Sequence, residues 1–133
     1  MRVFLDANVL FSASNVGSNI ARLIAWLAKQ ETAVTSDLAV EEARKNLVAK
    51  RAAWVPAFED VLDDLEIVPT ALFELPIPIK AKDAPLFCAA IRSRCGLFVT
   101  GDRRDFGHLY GQRVQGVEII SLLRLAEILA GGS

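Results

Sequence analysis

Two short apolar runs, each leading into an aspartate, constrain the fold of this chain more than any other feature of its sequence. Residues 3–5 run directly into Asp6, and residues 97–99 lead through Thr100 and Gly101 to Asp102. Uninterrupted apolar runs of this length are typical of strands buried on both faces of a parallel sheet. Parallel strands end at one edge, where such sheets bind ligands, so we expect both aspartates at that edge.

Amphipathic segments alternate with these and other short apolar runs. Asp83 is predicted to cap the helix that follows it, and Gly96 to end that helix. The alternation predicts one α/β domain over residues 1–133, a three-layer α/β/α sandwich with a central, mostly parallel five-stranded sheet. The predicted strands cover residues 3–5, 33–35, 66–68, 97–99 and 117–120; the predicted helices cover residues 20–29, 37–47, 54–65, 70–75, 84–94 and those after Ser121.

Composition excludes several classes of protein. Hydrophobic residues make up 53% and charged residues 23% of the 133 residues, which excludes a disordered chain, a collagen or a coiled coil. The formal net charge of −1 gives no chain-wide basic surface for nucleic acid, although a local patch is compatible with it. No apolar run is long enough to cross a membrane, and Asp6 and Asn8 interrupt the N-terminal run where a signal peptide would be apolar.

The two cysteines indicate a chain without disulfides. Cys88 and Cys95 are seven residues apart, which on one helix separates them by about 10 Å and prevents pairing. We expect both to be small buried residues, and with His108 as the only histidine the sequence argues against a structural zinc site. Unpaired cysteines suit a reducing compartment, so we expect the protein in the cytoplasm.

Four acids at predicted element boundaries are candidates for a shared site, with a fifth, Asp105, close behind. Each alone has an ordinary explanation as a helix cap, a loop residue or an exposed helix face. Two carboxylates about 4 Å apart repel by roughly 4 kcal/mol at an effective dielectric near 20, which favours protonation or a bound cation. Oxygen ligands without histidine or cysteine favour Mg²⁺ or Mn²⁺, an arrangement that suits phosphoryl chemistry. The four acids are Asp6, Glu42, Asp83 and Asp102.

Four blocks of the sequence resemble the PIN domain family, the fold of VapC-type toxins. Residues 3–10 resemble the family's first strand and its D-x-N-V/I-L motif. Residues 34–36 through Leu47 resemble the second block, where an acid five residues before a leucine selects Glu42 over Glu41.

The third and fourth blocks are residues 83–90 and residues 97–102. All four blocks occur in the family's order, and the resemblance covers essentially the whole chain. The proline-rich stretch before Asp83 follows no family pattern.

The resemblance implies a metal-dependent ribonuclease, commonly a homodimer and commonly a toxin restrained by a small antitoxin protein. Glu42 is expected to orient the attacking water or assist its deprotonation, and cleavage is expected to leave a 5′-phosphate and a 3′-hydroxyl. Arg103 and Arg104, next to Asp102, are candidate phosphate contacts. By position the resemblance assigns Asp6, Glu42, Asp83 and Asp102 as catalytic residues, Asp6, Asp83, Asp102 and Asp105 as ligands of Mg²⁺ or Mn²⁺, and Asn8 and Thr100 as residues that orient the acids.

Two alternative functions stay open. A haloacid-dehalogenase-type phosphatase also begins with an apolar strand and an aspartate, but Asn8 stands where its second acid is expected, and Phe106 where a later acid is expected. A catalytically silent PIN-like module for binding RNA or protein usually loses some of the acids, and this chain keeps all four.

Two predicted helices carry large apolar residues that fit either of two roles. Trp26 and Leu27 lie on one of these helices, and Trp54 and Phe58 lie on the other. They could pack in the core, or they could form a dimer face or an antitoxin groove if the domain cannot bury them.

Overall fold

The two apolar runs form the centre of a six-stranded sheet in the computed structural model, which describes residues 1–131. The order across the sheet is β3-β2-β1-β4-β6-β5, and every neighbouring pair is parallel except β5 and β6. The mostly parallel sheet is therefore confirmed, and the count of five strands is one too few. The strands are β1 (Arg2–Leu5), β2 (Thr32–Ser36), β3 (Glu66–Val68), β4 (Leu97–Val99), β5 (Arg113–Val114) and β6 (Val117–Ile120).

Helices flank this sheet, and serine side chains cap three of them. Ser18, Ser36 and Ser121 each accept a hydrogen bond from a backbone N–H in the first turn of the helix that follows. Two short 3₁₀ turns, Ala52–Trp54 and Gly107–Leu109, complete the pattern. The helices are α1 (Ala7–Ala13), α2 (Asn19–Gln30), α3 (Asp37–Lys50), α4 (Val55–Asp63), α5 (Ala84–Arg92), α6 (Arg103–Phe106) and α7 (Leu122–Leu129).

The sixth strand is half of a tight hairpin that the sequence did not reveal. Gln115 and Gly116 join β5 to β6 with φ angles of 49° and 88°. Two successive positive φ angles give the turn whose twist matches that of paired strands, and glycine adopts such an angle at little cost. A two-residue strand has no detectable apolar alternation, which is why β5 escaped prediction.

The predicted helix at residues 70–75 is wrong. The proline-rich segment, residues 69–82, forms neither helix nor strand. From Phe73 to Ile79 its odd-numbered residues are half-buried and its even-numbered residues exposed. A period of two is that of an extended chain, which suits a segment containing Pro69, Pro76 and Pro78 because each proline fixes φ and lacks an N–H donor.

The helix predicted at residues 84–94 is two residues shorter than expected. It ends at Arg92, and Arg94 rather than Gly96 adopts the left-handed conformation, with φ of 61°. Cys95 therefore lies beyond the helix that holds Cys88, so the two cysteines do not share a helix face. Both are buried and unpaired, as predicted.

Within residues 1–131, no helix is both long enough and apolar enough to cross a membrane. The predicted domain end at residue 133 lies outside the described residues.

An aromatic cluster at the centre of the sheet packs α5 and α6 against β1 and β4. The Phe98 ring lies 5.4 Å from that of Phe4, 5.2 Å from that of Phe87 and 5.3 Å from that of Phe106, measured between centroids. These residues come from β4, β1, α5 and α6, so the cluster ties both acid-bearing strands to their neighbouring helices. All four side chains are buried.

Replacement of Phe98 by alanine is expected to lower the free energy of unfolding by about 3–5 kcal/mol, because it removes the shared partner of three rings. Urea denaturation followed by circular dichroism measures this loss. Leu72, 70% exposed, is the matched control, and its replacement by alanine should change stability by less than about 0.5 kcal/mol. A Phe98→Ala loss no larger than that of Leu72→Ala would contradict a central role for the cluster.

Candidate active site

Asp6 lies between β1 and α1, at the edge of the sheet, and its carboxylate is buried there. The carboxylate accepts hydrogen bonds from Ala7 N at 2.8 Å, Asn8 Nδ2 at 2.9 Å and Thr100 Oγ1 at 2.8 Å. The residue is only 3% exposed. Burial raises the pKa of Asp6 to about 6, although the hydrogen bonds from Thr100 and Ala7 oppose the rise. The hydrogen bonds therefore hold the Asp6 carboxylate in one orientation, and its burial removes it from water.

Asn8 and Thr100 connect the ends of β1 and β4. Thr100 Oγ1, which donates to Asp6, accepts from Asn8 Nδ2 at 3.2 Å and from Asp102 N at 3.1 Å. Asn8 Oδ1 accepts from Gly101 N at 2.8 Å, and a Cβ at Gly101 would lie 3.3 Å from that oxygen. The network orients Asp6 directly and fixes the backbone of the loop that carries Asp102.

Asp83 stands at the start of α5 without acting as the cap that was predicted. It occupies the N-cap position, but its side chain accepts no capping hydrogen bond. Its Oδ2 atom is buried and has no hydrogen-bond partner within residues 1–131. Burial and then the charge of Asp6 raise the pKa of Asp83 to about 6, while Lys82 opposes the rise. A buried acceptor left without a partner is costly, and the fold gives it no structural use.

Asp102 and Asp105 lie on the loop after β4 and on the short helix α6. Asp102 caps α6 by accepting a hydrogen bond from Asp105 N at 3.1 Å. The Asp105 side chain, 4% exposed, forms ion pairs with Lys80 Nζ through Oδ1 at 2.6 Å and with Lys82 Nζ through Oδ2 at 3.2 Å. The hydrogen bond from Lys80, reinforced by that from Lys82, lowers the pKa of Asp105 to about 2.

Four of the five predicted acids surround one open cavity of about 310 Å³, which we call the acidic pocket. Glu42, on α3, faces Asp83 there; partial burial and then the charge of Asp83 raise its pKa, while Lys82 opposes the rise. Asp105 adjoins the pocket, because oxygens of Asp83, Asp102 and Asp105 all lie within 4.8 Å of one another. The lining residues are Asp6, Asn8, Phe11, Ser12, Glu42, Asn46, Lys50, Lys82, Asp83 and Asp102.

Two lysines are the cations that line the acidic pocket. Arg103 and Arg104 are exposed at the start of α6 and do not line the pocket, whereas Lys50 and Lys82 do. Lys80 and Lys82 belong to the proline-rich segment, where the alternation of residues 73–79 marks exposed positions but not the carboxylate that these lysines contact. Sequence reasoning therefore missed the lysines that contact Asp105.

The donors around the acidic pocket fit a hard divalent cation. All the candidate ligands are carboxylates, the combination that Mg²⁺ and Mn²⁺ prefer. Asp83 supplies a buried oxygen that has no partner within residues 1–131, and its carboxylate has an oxygen within 4.8 Å of oxygens of Asp102 and Asp105. Mutual repulsion among Asp6, Glu42 and Asp83 is relieved when a cation binds between them.

Comparison with solved structures confirms the predicted PIN-type fold. The chain is similar to a chain in the crystal structure of VapBC2 from Rickettsia felis, in which VapBC2 is bound to a DNA fragment from its promoter. The TM-score is 0.69 and the sequence identity is 18%, over 91% of this chain and 98% of that one. It is also similar to a chain of VapBC-1 from nontypeable Haemophilus influenzae, with a TM-score of 0.59 and 14% identity over 92% and 99% of the two chains. No protein-family model and no curated protein matches the sequence.

The raised pKa values of Asp6 and Asp83 predict how stability without metal varies with pH. Each carboxyl has a pKa near 6 in the folded protein and near 3.8 when unfolded, so the folded protein binds more protons between those values. Stability without metal should therefore fall as pH rises from about 4 to 6 and then level off.

Asp83→Asn removes one of these charges and should stabilise the metal-free protein by about 1–3 kcal/mol at pH 7, with no gain at pH 4. Urea denaturation in EDTA across this range measures the effect. Asp60→Asn, on the exposed face of α4, is the charge-matched control and should leave the pH profile unchanged. Destabilisation of Asp83→Asn at pH 7 would show that the carboxylate stabilises the fold instead.

Proposed function

We propose that this protein is a metal-dependent endoribonuclease that hydrolyses RNA phosphodiester bonds at the acidic pocket. The observation that carries the proposal is the buried, unpartnered Oδ2 atom of Asp83, on a carboxylate that has an oxygen within 4.8 Å of oxygens of two further aspartates. A group so costly to bury is explained by a ligand that the pocket is built to hold. The fold shared with the VapBC structures supports the assignment.

Asp6, Asp83 and Asp102 would hold Mg²⁺ or Mn²⁺, and Asp105 would complete the set once its lysines yield an oxygen. A bound ion supplies Lewis acidity, which makes water easier to deprotonate and offsets charge that develops on the phosphate. Thr100 and Asn8 act on Asp6, which they hold through hydrogen bonds. Such supporting hydrogen bonds typically change metal affinity or activity by about 10- to 100-fold.

We assign Glu42 to orient the attacking water and accept its proton. It lines the acidic pocket from α3, as Asp102 does from the loop after β4. Burial and the charge of Asp83 raise its pKa, which brings the carboxylate nearer to the range where a general base works best.

Direct hydrolysis by water is the chemistry that this residue set supports. His108 is the only histidine in the chain and does not line the acidic pocket, so an acid–base histidine pair at the scissile phosphate is absent. Attack by water then leaves a 5′-phosphate and a 3′-hydroxyl. Arg103 and Arg104, both exposed beside Asp102, are our proposed contacts for RNA phosphates outside the pocket.

An apolar groove between α2 and α7 supports the proposal of protein partners. It encloses about 400 Å³, and Trp26 and Leu123 on its walls are 38% and 71% exposed. Phe58 is fully buried and Trp54 packs against Phe11, so these two residues serve the core. We propose that the protein is the toxin of a toxin–antitoxin pair, bound by a small antitoxin, and that it forms a homodimer. An RNA substrate accords with the predicted cytoplasmic location.

Asp102→Asn is expected to reduce cleavage of single-stranded RNA at least about 100-fold, because it removes a carboxylate from the proposed metal set. Cleavage by the unaltered protein should require Mg²⁺ or Mn²⁺ and stop in EDTA. Gel analysis of end-labelled oligoribonucleotides measures both effects and identifies the termini.

Thr100 offers a graded comparison in the same assay. Thr100→Val keeps the shape of the side chain but removes the hydroxyl, and should cost about 10- to 100-fold. Thr100→Ser should restore most of the activity, and Asp60→Asn should have none of these effects. Products ending in 2′,3′-cyclic phosphate would contradict hydrolysis by water, and failure to bind either metal would contradict the acidic site.

Light scattering is expected to show a dimer at micromolar concentrations. Leu123→Asp, which places a charge in the α2–α7 groove, tests whether this groove is the contact between subunits; a shift to monomer would assign it. A monomer throughout the micromolar range for the unaltered protein would contradict the homodimer.

A further inference from the structure

A second cleft, distinct from the acidic pocket, has Asp105 in its lining. It encloses about 320 Å³ and is open to solvent. One oxygen of Asp105 pairs with Lys80, which lines this cleft, and the other pairs with Lys82, which lines the acidic pocket. The two ion pairs of Asp105 therefore link the cleft to the acidic pocket. The cleft is lined by Pro78, Ile79, Lys80, Arg104, Asp105 and His108.

The cations of the cleft are suited to an anion. The Lys80 side chain is 60% exposed, and its ammonium group has three donors, of which the contact with Asp105 uses one. Arg104 is exposed and forms no ion pair with a carboxylate of residues 1–131, so its planar group of donors is available. Within the lining of the cleft, Lys80 and Arg104 outweigh the single negative charge of Asp105.

The remaining lining of the cleft is suited to a flat apolar group. Pro78 and Ile79 supply an aliphatic surface, and the exposed His108 supplies an aromatic ring. Proteins that bind single-stranded RNA hold unstacked bases on such rings and hold the phosphates with cations. A site for a free inorganic anion would have no use for these apolar residues.

We propose that this cleft binds the nucleotide of a single-stranded RNA next to the scissile phosphate. Its base packs against Pro78, Ile79 and His108, and its phosphate contacts Lys80 and Arg104. Asp105 is a positioning residue here, because its ion pair holds Lys80 in the cleft. This inference rests on the proposed function for the identity of the ligand, but nucleotide binding by the cleft can be tested without cleavage.

His108 makes the test direct, since it is the only histidine in the chain and its imidazole gives a single set of NMR signals. Adenosine 5′-monophosphate is titrated into the full-length protein in EDTA at constant pH, so that the acidic pocket holds no metal. We expect saturable shifts of the His108 signals. Inorganic phosphate and adenosine, each carrying half of the ligand, should bind at least about tenfold more weakly.

Variants of neighbouring cations locate the phosphate. Lys80→Gln and Arg104→Gln should each weaken binding of the mononucleotide about tenfold, the effect expected for one charge-assisted hydrogen bond. Lys29→Gln, exposed on α2 and outside the cleft, is the matched control and should leave the affinity unchanged. Native spectra of each variant show that the fold is intact.

The possible outcomes separate this inference from the proposed function. No shift of the His108 signals at millimolar mononucleotide would overturn the cleft assignment, even if the protein cleaves RNA at the acidic pocket. Equal affinity for inorganic phosphate and the mononucleotide would also overturn it, because the base would then contribute nothing. Saturable nucleotide binding lost in Lys80→Gln and Arg104→Gln would support the cleft even if no RNA were cleaved.

Discussion

The parallel pairing of β1 with β4 is the constraint on which the rest of the site depends. Its register places Leu5 opposite Val99, so the residues that follow each strand emerge side by side at one edge of the sheet. Thr100 thereby comes within hydrogen-bonding distance of Asp6, and the loop to Asp102 starts from a fixed point. Because the aromatic cluster around Phe98 anchors both strands, the positions of these acids follow from the core itself.

The carboxylate charges at this edge of the sheet destabilise the folded protein. Burial deprives Asp6 and Asp83 of water, and the charge of Glu42 on Asp6 and that of Asp6 on Asp83 add repulsion, so the pKa of each is raised above that of a solvated aspartate. Asp105 shows the opposite behaviour, because two lysines offset its charge. Neighbouring acids thus have different electrostatic environments: Asp6 and Asp83 form no ion pair within residues 1–131, whereas Asp105 forms two.

Features encoded by local sequence patterns were predicted well, and features that depend on contacts between distant residues were not. Apolar runs and caps are local, so all five predicted strands lie within one residue of their observed ends, and most predicted helices lie within two. The family resemblance assigned to one site the four acids that line the acidic pocket. Contacts made by long flexible side chains carry no local signal, so Lys80 and Lys82 went unnoticed. Asp83 showed the limit of local rules, since it occupies a cap position without capping.

The extended form of residues 69–82 leaves more than half of its side chains outside the core. A segment outside the sheet and the helices contributes alternate side chains to the core, so substitutions at its exposed positions leave the strands and their acids in place. Lys80 and Lys82 occupy two of those exposed positions. Replacing either lysine therefore changes the charge beside Asp105 and the acidic pocket without disturbing the strands that carry the acids.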